Sequence, residues 1–121
     1  MVRAPGCKGG VATRALAETI DLYPTSPDLC NPSFAKTHHP LDGRSLAPIL
    51  HGEKETVREH AISYWRDAVS VRSTTHRLVA KVKEGKVVNA ELYDLRKNID
   101  TVENIADEEP EIVAELSKLV P

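Results

Sequence analysis

The pattern of apolar and polar positions changes character along the chain. Between about residues 60 and 95, apolar residues tend to alternate with polar ones, which is typical of β-strands with one buried face. From residue 110 onward the apolar residues follow the spacing of a helix instead. We therefore predict an α+β fold, in which a small four-stranded antiparallel sheet at about 60–95 is packed by a C-terminal helix at 110–120.

Short connections between the predicted strands favour a meander of antiparallel neighbours. The strands are expected at 60–65, 68–73, 76–82 and 87–95. The last two are joined by Lys83-Glu84-Gly85-Lys86, where glycine permits a positive φ. Pro110 suits the first position of the terminal helix. The apolar stripe of that helix comprises Ile112, Val113, Leu116, Leu119 and Val120.

The first half of the chain reads as short helices and loops. Apolar spacing predicts a helix near 14–20 and a second, irregular helix near 22–30, which Asp21 would cap and Pro27 would kink or end. Residues 31–44 read as a loop. Ser45 is expected to cap a short helix at 46–50, followed by a charged, exposed connection at 53–59.

Composition excludes several classes of protein. The 121 residues carry a net charge of −2 without a basic stripe, which argues against binding to nucleic acid. No apolar run approaches a membrane span, and the N-terminus lacks the apolar core of a signal peptide. Cys7 and Cys30 form no dense disulfide framework, so the sequence determines neither their pairing nor the compartment. The oligomeric state is equally undetermined.

Two catalytic or metal-binding interpretations find little support in the sequence. The histidines and cysteines lack the close paired spacing of zinc ligands, because only His38 and His39 are neighbours. A hydrolase triad of Ser63, His76 and Asp94 has no Gly-x-Ser-x-Gly turn to expose the serine.

The segment Tyr64-Trp65-Arg66-Asp67 is a better candidate for ligand binding. It falls at the end of a predicted strand, where loops on a rigid scaffold often bind ligands. Arginine offers a fork of donors that suits carboxylate or sulfate. The alternative is that Trp65 packs on the sheet and Arg66 pairs with Asp67.

Several segments, in order along nearly the whole chain, resemble the C-terminal part of sulfatases of the alkaline-phosphatase-like superfamily. Within that family the resemblance is to bacterial enzymes similar to iduronate-2-sulfatase. The matching pieces are Arg3-Ala4-Pro5-Gly6, Asp21-Leu22-Tyr23-Pro24-Thr25, Leu41 to Leu50, Val71-Arg72-Ser73 with His76-Arg77-Leu78, Glu91-Leu92-Tyr93-Asp94-Leu95, and Glu103-Asn104-Ile105-Ala106-Asp107.

The resemblance implies a domain organisation and a partial function. Residues 1–52 would be a remnant of the large α/β sulfatase domain, and 53–121 the C-terminal subdomain. The family hydrolyses sulfate esters with calcium and a formylglycine made from Cys or Ser, and its members are often exported or periplasmic. Neither cofactor is expected in this chain, which would supply cleft rim and structural support without hydrolysing esters alone.

The resemblance also weighs two particular segments. Cys30-Asn31-Pro32-Ser33-Phe34 resembles the formylglycine motif, but Phe34 stands where the family has arginine, and it lies far C-terminal of the family's motif. Tyr64, Trp65 and Arg66 would line the rim of the substrate cleft and contact a sulfated sugar or aryl sulfate, with His76 and Arg77 as weaker candidates. The alternative function is a free-standing interaction module without catalysis.

Overall fold

The computed structural model of the protein describes residues 1–30 and 39–121. The chain divides into two compact units, Met1–Glu59 and His60–Pro121. Among the described residues, the first unit contains a 3-10 turn (Thr19–Asp21), α1 (Leu22–Cys30) and α2 (Ala47–Leu50). The second contains β1 (Ala61–Trp65), β2 (Ala68–Arg72), β3 (His76–Lys83), β4 (Lys86–Asp94) and α3 (Pro110–Ser117). The predicted fold class is confirmed, and the assignment of 1–52 and 53–121 to two sulfatase domains stays a prediction.

The four strands form one antiparallel sheet in the order β1-β2-β3-β4, as the meander predicted. The β3–β4 turn places Glu84 at φ 50° and Gly85 at φ 72°. Two successive positive φ values match the right-handed twist of the flanking strands, which is why this turn connects them without splaying the hairpin. The predicted turn at 83–86 is therefore confirmed.

One face of the sheet forms the apolar core of this unit. Alternate residues of β2 and β3 point to this face. Val71 and Leu78 are register partners on it, and both are fully buried. α3 begins at Pro110, as predicted, and covers the same face. The buried core comprises Val69, Val71, Leu78, Ala80, Leu92 and Leu116.

Residues after β4 return to the sheet and bond to its last strand. The side-chain oxygen of Asn104 accepts hydrogen bonds from the N–H groups of Leu92 and Ala106, at 2.9 and 3.0 Å. Ile105 N–H donates to the Leu92 carbonyl at 2.9 Å. This segment therefore covers part of the β4 edge and places Ile105 against the core.

In the first unit the predicted helix near 14–20 is wrong, whereas the one near 22–30 is confirmed. Residues 11–18 form no regular structure, and only a 3-10 turn precedes α1. The Asp21 carboxylate accepts from the N–H of Glu18 at 2.8 Å, a local bond that competes with helix formation. Asp21 thus closes the turn before α1 instead of capping α1. Pro27 lies inside α1, which ends at Cys30, within one turn.

A buried cluster of polar groups surrounds Asp21, which has no exposed surface. Arg58 forms ion pairs with both Asp21 and Glu18. The Arg44 N–H donates to Asp21 at 2.8 Å, and the Thr25 hydroxyl donates to the Asp21 carbonyl at 2.5 Å. The prediction that 53–59 is an exposed connection is therefore wrong at Arg58, which is buried because two carboxylates satisfy its charge.

A close backbone approach brings the loop before α2 to this cluster. A Cβ at Gly43 would lie 2.1 Å from the carbonyl oxygen of Ile20, so only glycine fits there. The predicted short helix is confirmed as α2, although its N-cap is Leu46 instead of Ser45. The Ser45 hydroxyl still accepts a hydrogen bond from Ala47 N–H at 3.3 Å.

Part of the Cys30–Phe34 motif and His38 lie outside the described residues. Cys30 itself is exposed at the end of α1, and Cys7 is partly buried; both are free thiols. In the described part of the chain no helix is long and apolar enough to cross a membrane.

Candidate functional site

The candidate site is the turn between β1 and β2. Trp65 and Ala68 are the closing register pair, so Arg66 and Asp67 form a two-residue turn. Arg66 adopts φ 56°, a left-handed conformation that costs a side-chain-bearing residue about 1–2 kcal/mol. Such strain is often found where a side chain must be presented in a fixed direction.

The structure brings Trp65 and Arg66 together and separates them from Tyr64. The Arg66 guanidinium lies over the Trp65 ring, 5.9 Å from its centroid. Trp65 is 75% exposed, so it does not pack on the sheet as the alternative interpretation required. Tyr64 is the register partner of Val69, which places it on the core face, whereas Trp65 lies on the opposite face.

Asp67 stabilises the turn through contacts with β3. Its carbonyl accepts a hydrogen bond from Val82 N–H at 2.8 Å, and its carboxylate lies 3.4 Å from the Lys81 ammonium. Its own backbone N–H and Lys81 together lower the pKa of the Asp67 carboxyl below its ordinary value. Asp67 therefore pairs with Lys81, and within the described residues Arg66 makes no ion pair.

Lysines that the sequence reasoning missed lie at the same end of the sheet. Because the strands are antiparallel, the β1–β2 and β3–β4 turns lie at the same end of the sheet. Lys81 pairs with Ala68 in register, and Lys83 pairs with Lys86. Alternation places all three lysines on the face that carries Trp65. The spacing of the lysines in Lys81-Val82-Lys83-Glu84-Gly85-Lys86 could have predicted this basic end of the sheet.

The weaker candidates lie at the opposite end of the sheet. His76 is buried, with its Nε2 atom 3.5 Å from a Glu109 carboxylate oxygen and its Nδ1 atom 2.9 Å from the Thr75 hydroxyl. Arg77 stacks on Tyr93, with its guanidinium 5.3 Å from the ring centroid. Neither residue adjoins the Trp65 turn, because both begin β3 while that turn faces its end.

The triad considered from the sequence is not assembled. His76 and Asp94 are register partners, but Ser63 pairs with Ser70, whose partner on β3 is Val79. Asp94 instead makes a two-pronged ion pair with Arg96, at 2.9 and 2.7 Å, which lowers the pKa of its carboxyl well below the ordinary value. Residues 1–30 and 39–121 contain no group of three or more His, Cys, Asp or Glu side chains that could bind a metal ion.

Comparisons with known proteins identify the fold. No protein-family model matches the chain. Arylsulfatase K of Gallus gallus is 27% identical over 132 residues, an alignment that covers 99% of this chain and 24% of the relative. A crystal structure from Bacteroides thetaiotaomicron, of a protein assigned as a sulfatase, has a TM-score of 0.62 and 29% identity and covers 82% of this chain. The chain is similar to sulfatases.

Two further matches, one in sequence and one in structure, also cover only a part of the proteins concerned. Human N-acetylglucosamine-6-sulfatase is 42% identical over 52 residues, which are 43% of this chain and 9% of the relative. A structure solved in complex with its substrate, D-glucosamine-2-N,6-O-disulfate, has a TM-score of 0.61 at 22% identity. The chain thus spans about a quarter or less of the length of these four proteins.

Proposed function

We propose that this chain is the C-terminal part of a sulfatase, of the type similar to iduronate-2-sulfatase, and that its sheet contributes to the rim of the substrate cleft. The ordered set of family segments from Arg3 to Asp107 supports this assignment. The short share of each sulfatase that the chain covers is consistent with it. The parent enzyme would act on a sulfated sugar or an aryl sulfate.

The observation that carries the substrate proposal is the exposed Trp65–Arg66 pair at the basic end of the sheet. An indole ring offers a flat apolar surface to a sugar or aryl ring, and a guanidinium offers paired donors to a sulfate. Lys81, Lys83 and Lys86 add positive charge near the same turn, which would attract an anionic ligand. Tyr64 would contact the ligand from the core-side face of the turn.

Catalysis by this chain alone is not part of the proposal. Sulfatases supply a formylglycine nucleophile and a calcium ion to the reaction, and the described residues offer no cluster suited to calcium. Cys30, the one cysteine in a motif-like context, has Phe34 where the family's motif has arginine. The chain would therefore recognise part of the substrate and support the sheet.

Turnover of an aryl sulfate tests the non-catalytic part of this proposal. The 121-residue chain is incubated with a chromogenic aryl sulfate and calcium, and a Cys30→Ala variant serves as the matched control. We expect no release of sulfate above the buffer rate from either protein. Turnover by the wild-type chain that the control lacks would contradict the proposal.

Fluorescence of Trp65 tests the recognition part, because Trp65 is the only tryptophan in the chain. We expect glucosamine 6-sulfate to change the emission and unsulfated glucosamine to change it far less. Arg66→Gln should weaken the apparent affinity by about tenfold, the size expected for one charge-assisted hydrogen bond. Arg96→Gln, at the other end of the sheet, makes the same charge change and should have no effect.

The alternative of an interaction module predicts a different outcome of the same titration. If the Trp65 turn binds a protein partner by its apolar surface, sulfation of the sugar and the Arg66→Gln change would leave the emission unchanged. That result would argue against a role in sulfate recognition.

A further inference from the structure

A second cationic feature lies on the face of the sheet opposite the apolar core. Arg72 on β2 and Arg77 on β3 are direct register partners, so both side chains rise from the same row. Directly opposed residues of an antiparallel pair have Cβ atoms roughly 4.5–5.5 Å apart. Two guanidinium groups at this spacing repel each other, and like charges directly opposite destabilise a sheet.

Neither arginine is neutralised by the described residues. In residues 1–30 and 39–121 no carboxylate forms an ion pair with Arg72 or Arg77, in contrast to Arg58 and Arg96. The Nε atoms of Arg72 and Arg77 are buried and have no hydrogen-bond partner. A buried N–H without an acceptor costs free energy. The two arginines therefore lack both an ion-pair partner for their charge and an acceptor for their Nε–H groups.

Neighbouring side chains fix the direction of one of these arginines. The Arg77 guanidinium lies over the Tyr93 ring, and the Tyr93 hydroxyl donates a 2.5 Å hydrogen bond to Glu91. That bond to Glu91 raises the pKa of the Tyr93 phenol, so the ring stays neutral. Glu91 thus accepts from Tyr93 and forms no ion pair with Arg77. Stacking on Tyr93 leaves the edge of the Arg77 fork available.

We propose that Arg72 and Arg77 form a binding site for one oxyanion group, a sulfate or a carboxylate. The anion would lie between the two guanidinium groups, accept from their N–H edges and remove their mutual repulsion. The site is distinct from the Trp65 turn. Arg72 is four residues along β2 from Ala68, the partner of Trp65, which is about 13 Å at the rise of a strand.

Thermal unfolding of the 121-residue chain in sodium sulfate tests this site. Sodium chloride at the same ionic strength corrects for screening of the like charges. The double variant Arg72→Gln/Arg77→Gln is compared with Lys97→Gln/Lys118→Gln, which removes the same charge from exposed lysines. We expect sulfate to raise Tm in the wild type and the lysine variant more than chloride does. The arginine variant should show a smaller excess, because only the general stabilisation by sulfate and any binding at the Trp65 turn remain.

A direct measurement follows the Nε–H resonances of the two arginines by NMR. Both are expected to shift on titration with sulfate, with an apparent Kd about tenfold weaker in Arg72→Lys, which keeps the charge but loses the fork. Arg72→Lys also guards against a double variant that fails to fold.

Two carriers of the oxyanion are then compared, glucosamine 6-sulfate and a short glutamate-rich peptide. A carrier that shifts the Arg72 and Arg77 Nε–H resonances, and does so more weakly in Arg72→Lys, supports the site and identifies its source. An equal effect of sulfate and chloride, or equal sulfate dependence in both double variants, would overturn it. Arg66→Gln should leave the sulfate-induced shifts of the Arg72 and Arg77 Nε–H resonances unchanged, so this site and the Trp65 turn can fail independently.

Discussion

The two units of the chain are stabilised by different kinds of interior. In His60–Pro121 the buried residues, apart from His76, are aliphatic side chains between a sheet and α3. Among the described residues of Met1–Glu59 the most deeply buried is Asp21, whose carboxylate contacts Arg58 and the N–H groups of Glu18 and Arg44. The two interiors should differ in their tolerance of substitutions. An apolar core accepts substitutions of similar volume, whereas a buried ion pair is destabilised by the loss of either partner.

Removal of the central carboxylate should have the largest effect on this contrast. Asp21→Ala removes one of the carboxylates that pair with the buried Arg58 and leaves the Arg44 N–H without its acceptor. We expect a loss of about 3–5 kcal/mol in the free energy of unfolding of the first unit. Amide hydrogen exchange resolves the two units, so protection should fall in α1 and α2 and persist in β2 and β3.

The matched control for this change is Asp42→Ala, an exposed carboxylate in the same unit. It should leave exchange in both units unchanged. Loss of protection in the sheet upon Asp21→Ala would mean that the two interiors are not independent, contrary to the comparison.

A cavity in the apolar core should produce the reverse pattern. Leu92 has no exposed surface and packs in the centre of the cluster, so Leu92→Ala should cost about 2–5 kcal/mol. Trp65 fluorescence during urea unfolding reports on this unit. Val102→Ala, at a highly exposed position, is the control. An unchanged urea midpoint for Leu92→Ala would contradict the central place of Leu92.

Acid should weaken the first unit through Asp21. Burial alone would raise the pKa of this carboxyl, but hydrogen bonds from Arg44 and Glu18 N–H and from Arg58 outweigh it, and the pKa lies below its ordinary value. A carboxyl with a lowered folded pKa stabilises above its unfolded pKa of about 3.9 and loses that stabilisation as pH falls through the folded value.

We therefore expect exchange protection around Asp21 to decline below about pH 4. The effect should be smaller than that of Asp21→Ala, because the protonated carboxyl still accepts hydrogen bonds. Asp94 titrates in the same direction, but its pair with Arg96 is partly exposed and therefore weakened by salt. Added salt should leave the Asp21 transition in place. A transition at Asp21 as sensitive to salt as that at Asp94 would contradict its burial.

A smaller steric effect is expected where the chain passes close to itself. Gly43→Ala would place a methyl group 2.1 Å from the Ile20 carbonyl oxygen, and both backbones would have to move. We expect a cost of about 1–3 kcal/mol in the first unit. Gly9→Ala, where a Cβ meets no atom within 4 Å, is the control. Equal urea midpoints for the two variants would refute the close approach.

The smallest change should occur at the Trp65 turn and should be stabilising. Arg66→Gly relieves the left-handed strain of a residue with a side chain, so the sheet should gain up to about 1 kcal/mol. The same variant should lose the response of Trp65 to glucosamine 6-sulfate. Stability and ligand binding would then change in opposite directions, whereas a purely structural Arg66 would show no such divergence.

The contrast between the two interiors also explains what the sequence could predict. The strands and α3 follow from period-two and 3.6-residue spacing because residues such as Leu78 and Leu92 are buried for being apolar. Arg58 could not be found in this way, since burial of a charge depends on partners distant in sequence.

The candidate site was predictable only in part. Exposure of Trp65 and Arg66 follows from their place at a strand end, and the structure confirms that they share a turn. The separation of Tyr64 from Trp65 follows from strand alternation and could have been predicted. The pairing of Asp67 with Lys81 depends on the register of β2 with β3, which the local sequence does not specify.

The spacing of the Asp21 partners along the chain has a consequence for synthesis. Asp21 is 23 positions from Arg44 and 37 positions from Arg58 along the chain. Arg58 and Glu18 are 40 positions apart. Each strand of the sheet, by contrast, pairs with its immediate successor, which keeps contact order low. During synthesis, the Asp21 carboxylate therefore lacks its Arg58 partner until Arg58 has emerged from the ribosome, so Met1–Glu59 completes its interior only when its last residues arrive.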